Sequence, residues 1–253
     1  MSYPSGLDVA RGLTNARAVR QFGRNTAVSS TFTPIARSGF YRTPQVGSEV
    51  NLRVKSGGNA NDTAAGTGAR QITLVGLDAE GNPVTDTIPT NGTSAGTAST
   101  KQFLRLTDAY VSQSGTYASQ TALSHAGTIT IESTGGDVWA VIPDTDIPRG
   151  DSEIGAYSVP RNRSLFITNI RLQSDDSNKT NLVMFKRTGI LQTAPPYDGM
   201  LLINEFPSLV GEFEYVFDPP ILIPQLSDVG FLAKSATGTI SVCTSFDGVM
   251  TRP

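Results

Sequence analysis

Along most of this chain, runs of strand length in which apolar and polar side chains alternate are each cut off by Gly, Pro, Asn or Asp. Such a pattern builds half-buried strands joined by tight turns, and it leaves little room for helices. The clearest instance is Asn61 to Ile88. A loop of small residues, Asp62 to Gly68, leads into Arg70 to Leu77, where Ile72 and Leu74 share one face and Thr73 and Val75 the other. Asp78-Ala79-Glu80-Gly81-Asn82-Pro83 supplies the turn, and Val84 to Ile88 returns as the partner strand of a hairpin. With 25 glycines, 15 prolines and only 17% charged residues, the remainder of the chain points the same way, toward many short strands.

At 253 residues the chain is long enough for two β domains of about 100 residues each without staples. Residues 46–147 hold strands at Val50 to Val54, in the hairpin, at Phe103 to Val111, at Thr128 to Ile131 and at Val138 to Ile142. Pro143 to Gly150, with two prolines, two acids and no apolar period, marks the boundary. Residues 148–253 carry a longer series of strands, with a bulge expected near Asn169 and an edge or a strand end expected at Ile221 to Ile223, which Pro219, Pro220 and Pro224 flank. The expected fold is therefore all-β, two antiparallel β domains of which the C-terminal one is a jelly-roll-like sandwich. Cys243, the one cysteine, has no internal partner for a disulfide and reads as a half-buried core residue.

Residues 1–45 differ from the rest. A helix over Leu7 to Phe22 is interrupted by Gly12 and lacks an apolar stripe, and no strand alternation is sustained. This segment reads as an extended N-terminal arm. Before Gln45 stand six arginines, Arg11, Arg17, Arg20, Arg24, Arg37 and Arg42, against one acid, Asp8, whereas the whole chain carries a net charge of -2. A basic arm on an acidic body suits docking onto an acidic neighbour. Phe22, Phe32, Phe40 and Tyr41 add spaced apolar anchors, so the arginines and these aromatics together form the expected partner-binding set. The arm either lies on another protein or packs on its own domain.

Catalytic constellations are missing from the sequence. His125 is the single histidine, set in a Ser/Gly/Ala loop that reads as surface, without a neighbouring cysteine or a metal-binding spacing. The AAGTGAR run lacks the Gly-Lys-Ser/Thr ending of a phosphate loop and precedes a strand instead of a helix. Asp144, Asp146, Asp151 and Glu153 lack the glycine-centred loop of a calcium site and read as a solvated acidic linker. Neither a metal nor a cofactor is expected, and an enzyme is the least supported class. No secretion signal opens the chain and no apolar run reaches membrane-spanning length, so a soluble, unsecreted protein is expected. The arginines could neutralise phosphates, with a salt slope of about -5 if all six did so on duplex DNA, but the signal is weak and nucleic acid is not the expected partner.

Several segments, taken in order, carry a resemblance. Phe22-Gly23-Arg24-Asn25, the run Asn61 to Arg70, Gly76-Leu77-Asp78, Asn91-Gly92-Thr93, Leu104-Arg105 before Ala109-Tyr110-Val111, and Tyr157-Ser158-Val159-Pro160 resemble a family of tailed-bacteriophage virion proteins. The resemblance spans roughly the first two thirds of the chain and transfers no catalytic residue. It implies a structural virion component without fixing its place in the particle. The basic arm with its spaced apolar anchors suits a capsid cement or decoration protein that clamps adjacent capsid subunits, with the major capsid protein or other virion proteins as partners, assembled in the host cytoplasm, and exposed sandwich edges suit a homotrimer. A tail, neck or fibre-base component uses the same folds, and a carbohydrate-binding module is a further alternative, for which Trp139 is the only tryptophan platform.

Overall fold

The computed structural model describes residues 6–37, 49–116, 123–144, 149–174 and 178–252. In chain order the elements are helix α1 (Gly6–Ala10) and strands β1 (Arg17–Val28), β2 (Thr33–Pro34), β3 (Leu52–Val54), β4 (Ala69–Leu77), β5 (Pro83–Pro89), β6 (Arg105–Ser114), β7 (Ile129–Ser133), β8 (Val138–Ile142), β9 (Ala156–Ser158), β10 (Ser164–Ser174), β11 (Thr180–Arg187), β12 (Met200–Leu209), β13 (Gly211–Ile223), β14 (Asp228–Ser235) and β15 (Ile240–Thr251). The fold is all-β, and every named strand pair is antiparallel. The chain forms two units, Met1–Gly39 with Gly155–Pro253, and Phe40–Ile154.

The first unit is a sandwich. One layer runs β1-β15-β10-β13; the other runs β12-β11-β14, with β2 and β9 both on the far side of β14. Thr33 and Pro34 pair with Ala233 and Leu232, and Ala156, Tyr157 and Ser158 pair with Gly230, Val229 and Asp228. Between them the Ile35 N–H donates to the Phe231 carbonyl at 3.0 Å. β2 and β9 are thus two pieces of one strand, and the whole second unit is inserted into its middle. Counting them as one, the eight strands lie in the orders first–eighth–third–sixth and second–seventh–fourth–fifth, which is jelly-roll connectivity.

Residues 17–28 and 33–34, read from the sequence as part of an extended arm, are strands of this sandwich, which corrects that reading. The reason is chemical. The buried positions of β1 are Val19, Gly23, Asn25 and Val28, so its inner face is too small and polar to show apolar alternation. Gly23 is required there: a Cβ would run into the Gly155 backbone and the Ile35 carbonyl. Asn25 holds the turn into β2 through Nδ2, which donates to the Pro34 carbonyl at 2.9 Å. Of the interrupted stretch Leu7 to Phe22, only residues within α1 (Gly6–Ala10) are helical, and α1 stops ahead of Gly12.

The core lies between the layers. Every second residue of β15 from Ile240 to Met250 is buried, and Leu165, Ile167, Ile170, Leu172, Leu182, Met184 and Val229 meet them. Phe231 of one layer and Phe246 of the other bring their rings within 6.4 Å. In β10 the inward set jumps from Ile167 to Ile170 because the register shifts between Ile167 and Asn169 against both neighbours, the bulge read from the sequence. Pro219 and Pro220 fall in β13, an outermost strand, between its pairings at Val216 and Ile221, where their missing donors cost no ladder bond.

The second unit contains the sheets β5-β4-β6 and β3-β7-β8. The hairpin stands as expected: β4 and β5 pair from Leu77↔Pro83 to Gln71↔Pro89, and the Asp78 carboxylate accepts the Glu80 and Asn82 N–H groups in the turn. The small-residue loop before it is wrapped around Asp62. This buried carboxylate accepts the N–H of Ala69 at 2.8 Å, Ala126 at 2.9 Å and Gly127 at 3.0 Å, tying three stretches together. Gly68 leaves the room, since a Cβ there would strike the Asp62 carboxylate. Of the AAGTGAR glycines, Gly68 thus serves a protein carboxylate inside the unit, and Gly66 makes room for the Asn61 carbonyl.

Candidate functional site

The first layer of the sandwich brings together part of the expected partner-binding set. Arg17 and Arg20 are exposed on β1, and Arg24 and Phe22 are half-buried there. With Val19, Gly23 and Asn25 turned inward, strand alternation places Arg20, Phe22 and Arg24 on the outer face. The Arg20 Nε donates to Asp247 Oδ1 at 2.7 Å, and the Arg24 Nε donates to Ser241 Oγ at 3.4 Å. Both partners lie on β15, so they steady the arginine stems while leaving the Arg20 side chain 82% exposed. The remaining members are elsewhere. Arg11 is exposed after α1; Phe32 is 43% exposed beside β2, its ring 4.8 Å from the Lys234 ammonium; Arg37 is half-buried. Phe40, Tyr41 and Arg42 lie outside the described residues.

The opposite end of the same layer has the opposite charge. β13 carries Glu212, Glu214 and Asp218, all exposed, and no base. On β12, the last strand of the other layer, Glu205 is exposed and again there is no base. Asn169 and Arg171 donate to the Glu214 carboxylate at 2.7 and 3.2 Å and lower its pKa from the ordinary value. These two strands also leave much apolar surface in water: Met200, Leu201, Leu202, Tyr215, Val216 and Leu222 are exposed, as is Val210 between the strands. Phe206, Phe213, Tyr215 and Phe217 form a row with successive ring centroids 5.4, 6.3 and 4.9 Å apart. Reading the sequence identified β12 and β13 as strands but missed them as a surface. The available signal was four acids and no base between Met200 and Ile223, amid exposed apolar residues.

The residues weighed for chemistry have structural work. His125, expected on the surface, is fully buried, and that expectation is corrected: Nδ1 lies 2.9 Å from Ser124 Oγ and Nε2 2.9 Å from the Pro143 carbonyl oxygen. Burial pushes its pKa below the usual histidine value, with the Pro143 hydrogen bond and the charges of Asp62 and Asp144 opposing. Asp144 accepts the Thr128 hydroxyl, whereas Asp146 lies outside the described residues. Among the described residues, no three His, Cys, Asp or Glu side chains gather to hold a metal ion. Cys243 is half-buried, as expected, on β15. Trp139 is 5% exposed, which removes it as a platform for a sugar ring. No helix among the described residues is long and apolar enough to cross a membrane.

No protein-family model matches the chain, and comparison with curated protein sequences finds no match. Two solved structures are similar at a low level. One is the structure of infectious bursal disease virus, Gx strain: 12% identity over 94% of this chain and 71% of that one, with a TM-score of 0.28. The other is the VP2 subviral particle of infectious bursal disease virus: 10% identity over 94% and 76%, with a TM-score of 0.19. Nothing is inferred from likeness at this level.

Proposed function

We propose that this chain is a non-enzymatic structural component of a tailed-phage virion, a cement or decoration protein that joins neighbouring subunits of the shell. The observation that carries this reading is the β1 edge. A twelve-residue strand at the margin of its sheet bears Arg17, Arg20 and Arg24 without one acid, a surface suited to an acidic protein neighbour. Support also comes from the ordered segments between Phe22 and Pro160 that resemble phage virion proteins. The large apolar side chains that β12 and β13 leave exposed favour a protein that works by being covered.

Deleting residues 1–44 would remove β1 and β2 from the sandwich and so could not separate binding from folding. Immunogold labelling of intact phage particles with antibodies raised against the folded chain is the direct experiment. Label distributed over the shell is the expected result. Label confined to the tail or neck would transfer the chain to that part of the particle, and particles without label would end the virion reading.

A further inference from the structure

The layer β1-β15-β10-β13 is charged in opposite senses at its two ends. At one end stand Arg17, Arg20 and Arg24 with no acid in β1; at the other stand Glu212, Glu214 and Asp218 with no base in β13. Both strands are long, at 12 and 13 residues, and each is the last of its sheet among the described residues. Each margin also carries apolar surface suited to the other: half-buried Phe22 amid the arginines, exposed Tyr215 and Val216 amid the acids. An edge of one charge would merely discourage pairing. Two unlike edges on one sheet discourage like meeting like and leave unlike meeting as the favoured contact.

We infer that the acidic neighbour of the β1 edge is the β13 edge of a second copy of this chain. This deepens the cement reading by naming the partner of that surface. Because the two edges differ, the contact is heterologous, and every copy offers one of each. Copies therefore add head to tail until the rotation closes a ring, for which three copies is the expected number. The ion pairs now made within the chain, Arg20 with Asp247 and Arg171 with Glu214, are solvent-exposed and hold little energy, so the charges are available to a neighbour.

Two variants of the full chain test this. Arg17→Glu/Arg20→Glu/Arg24→Glu makes both edges acidic, and Glu212→Arg/Glu214→Arg/Asp218→Arg makes both basic. By sedimentation velocity the unaltered chain is expected to associate, with affinity falling about tenfold or more as salt is raised from low to physiological, because exposed charges are screened. Each variant alone should remain monomeric with an unchanged circular dichroism spectrum, and an equimolar mixture of the two should associate again. A monomeric unaltered chain at its highest soluble concentration, association indifferent to salt, or variants that associate like the parent would each overturn the inference. The salt series needs no variant, so a misfolded variant does not leave the question open. A chain that is monomeric yet decorates the shell loses this inference and keeps the cement reading; a chain that assembles but is missing from the particle does the reverse.

Discussion

The carbonyl of Ile35 accepts the backbone N–H of Gly155 at 2.8 Å, although the whole second unit separates them in sequence. This bond closes the gap between β2 and β9, so the jelly roll is completed as though the insertion were not there. The chain's two crossings of this point are packed backbone to backbone, with Gly23 of β1 against Gly155.

Gly23→Ala should therefore be costly in spite of its small size. Its new methyl would meet main chain, which cannot rotate away, and overpacking of this kind costs about 1–3 kcal/mol. Urea unfolding followed by far-ultraviolet circular dichroism is the measurement. A midpoint equal to that of the parent would show that β1 has room to shift and that the close approach is not essential.

Asp62→Ala should loosen the second unit. Three buried or half-buried N–H groups, on Ala69, Ala126 and Gly127, would lose their acceptor, and an unsatisfied buried donor costs about 1–3 kcal/mol. Trp139 is the only tryptophan and lies buried in β8, so its fluorescence reports on this unit alone. The expected result is an emission shift at markedly lower denaturant. No change in the Trp139 transition would mean that water can replace the carboxylate.

Acid should destabilise the same unit through His125. Its folded pKa lies below its ordinary value of 6.5, first because it is buried. A depressed folded value means that the neutral ring is favoured in the folded state. That stability is present above 6.5 and is lost as pH falls through the depressed folded pKa. Histidine ring signals observed by NMR should show no transition centred at the ordinary value, and the Trp139 melting temperature should decline below it. A ring that titrates normally in the folded protein would refute this.

Asp228→Ala should be among the most damaging changes to the sandwich. Asp228 is fully buried, accepts the Ser158 hydroxyl, and lies 4.0 Å from the equally buried Arg187 guanidinium. Removing one partner strands a charge at about 3–5 kcal/mol, whereas replacing both with apolar residues of similar volume is often neutral. Asp228→Leu combined with Arg187→Met should thus be far more stable in denaturant than Asp228→Ala. Equal losses would show that the pair contributes by packing and not by charge.

The hairpin at Asn61 to Ile88, the bulge beside Asn169 and the outermost place of the proline-bearing strand were all legible in the sequence, because each depends on local spacing and turn chemistry. β1 was not. Its inner face is Val19, Gly23, Asn25 and Val28, and its partner β15 lies at the other end of the sequence, so nothing local marks it as a strand. β2, two residues long, falls below the length at which alternation can be recognised. His125 was misplaced because glycines and serines around it suggested exposure, while its partners Ser124 and Pro143 make burial possible. The arginine excess near the start and the acids after Met200 were countable in sequence. That they face opposite ways across one sheet depends on strand order, which composition does not carry.

The pairing of β1 with β15 also imposes an order in time. As the chain leaves the ribosome, β1 is made well before its partner β15, so the first layer cannot close until β15 is free. The inserted unit is synthesised whole in between, with all its sheet pairings internal, and can reach its native form while the sandwich is still waiting. During that interval the basic strand is without its neighbour. A ribosome stalled once Ile154 has cleared the exit tunnel, but before β15 has, should thus display a folded second unit behind an unfolded, arginine-bearing segment.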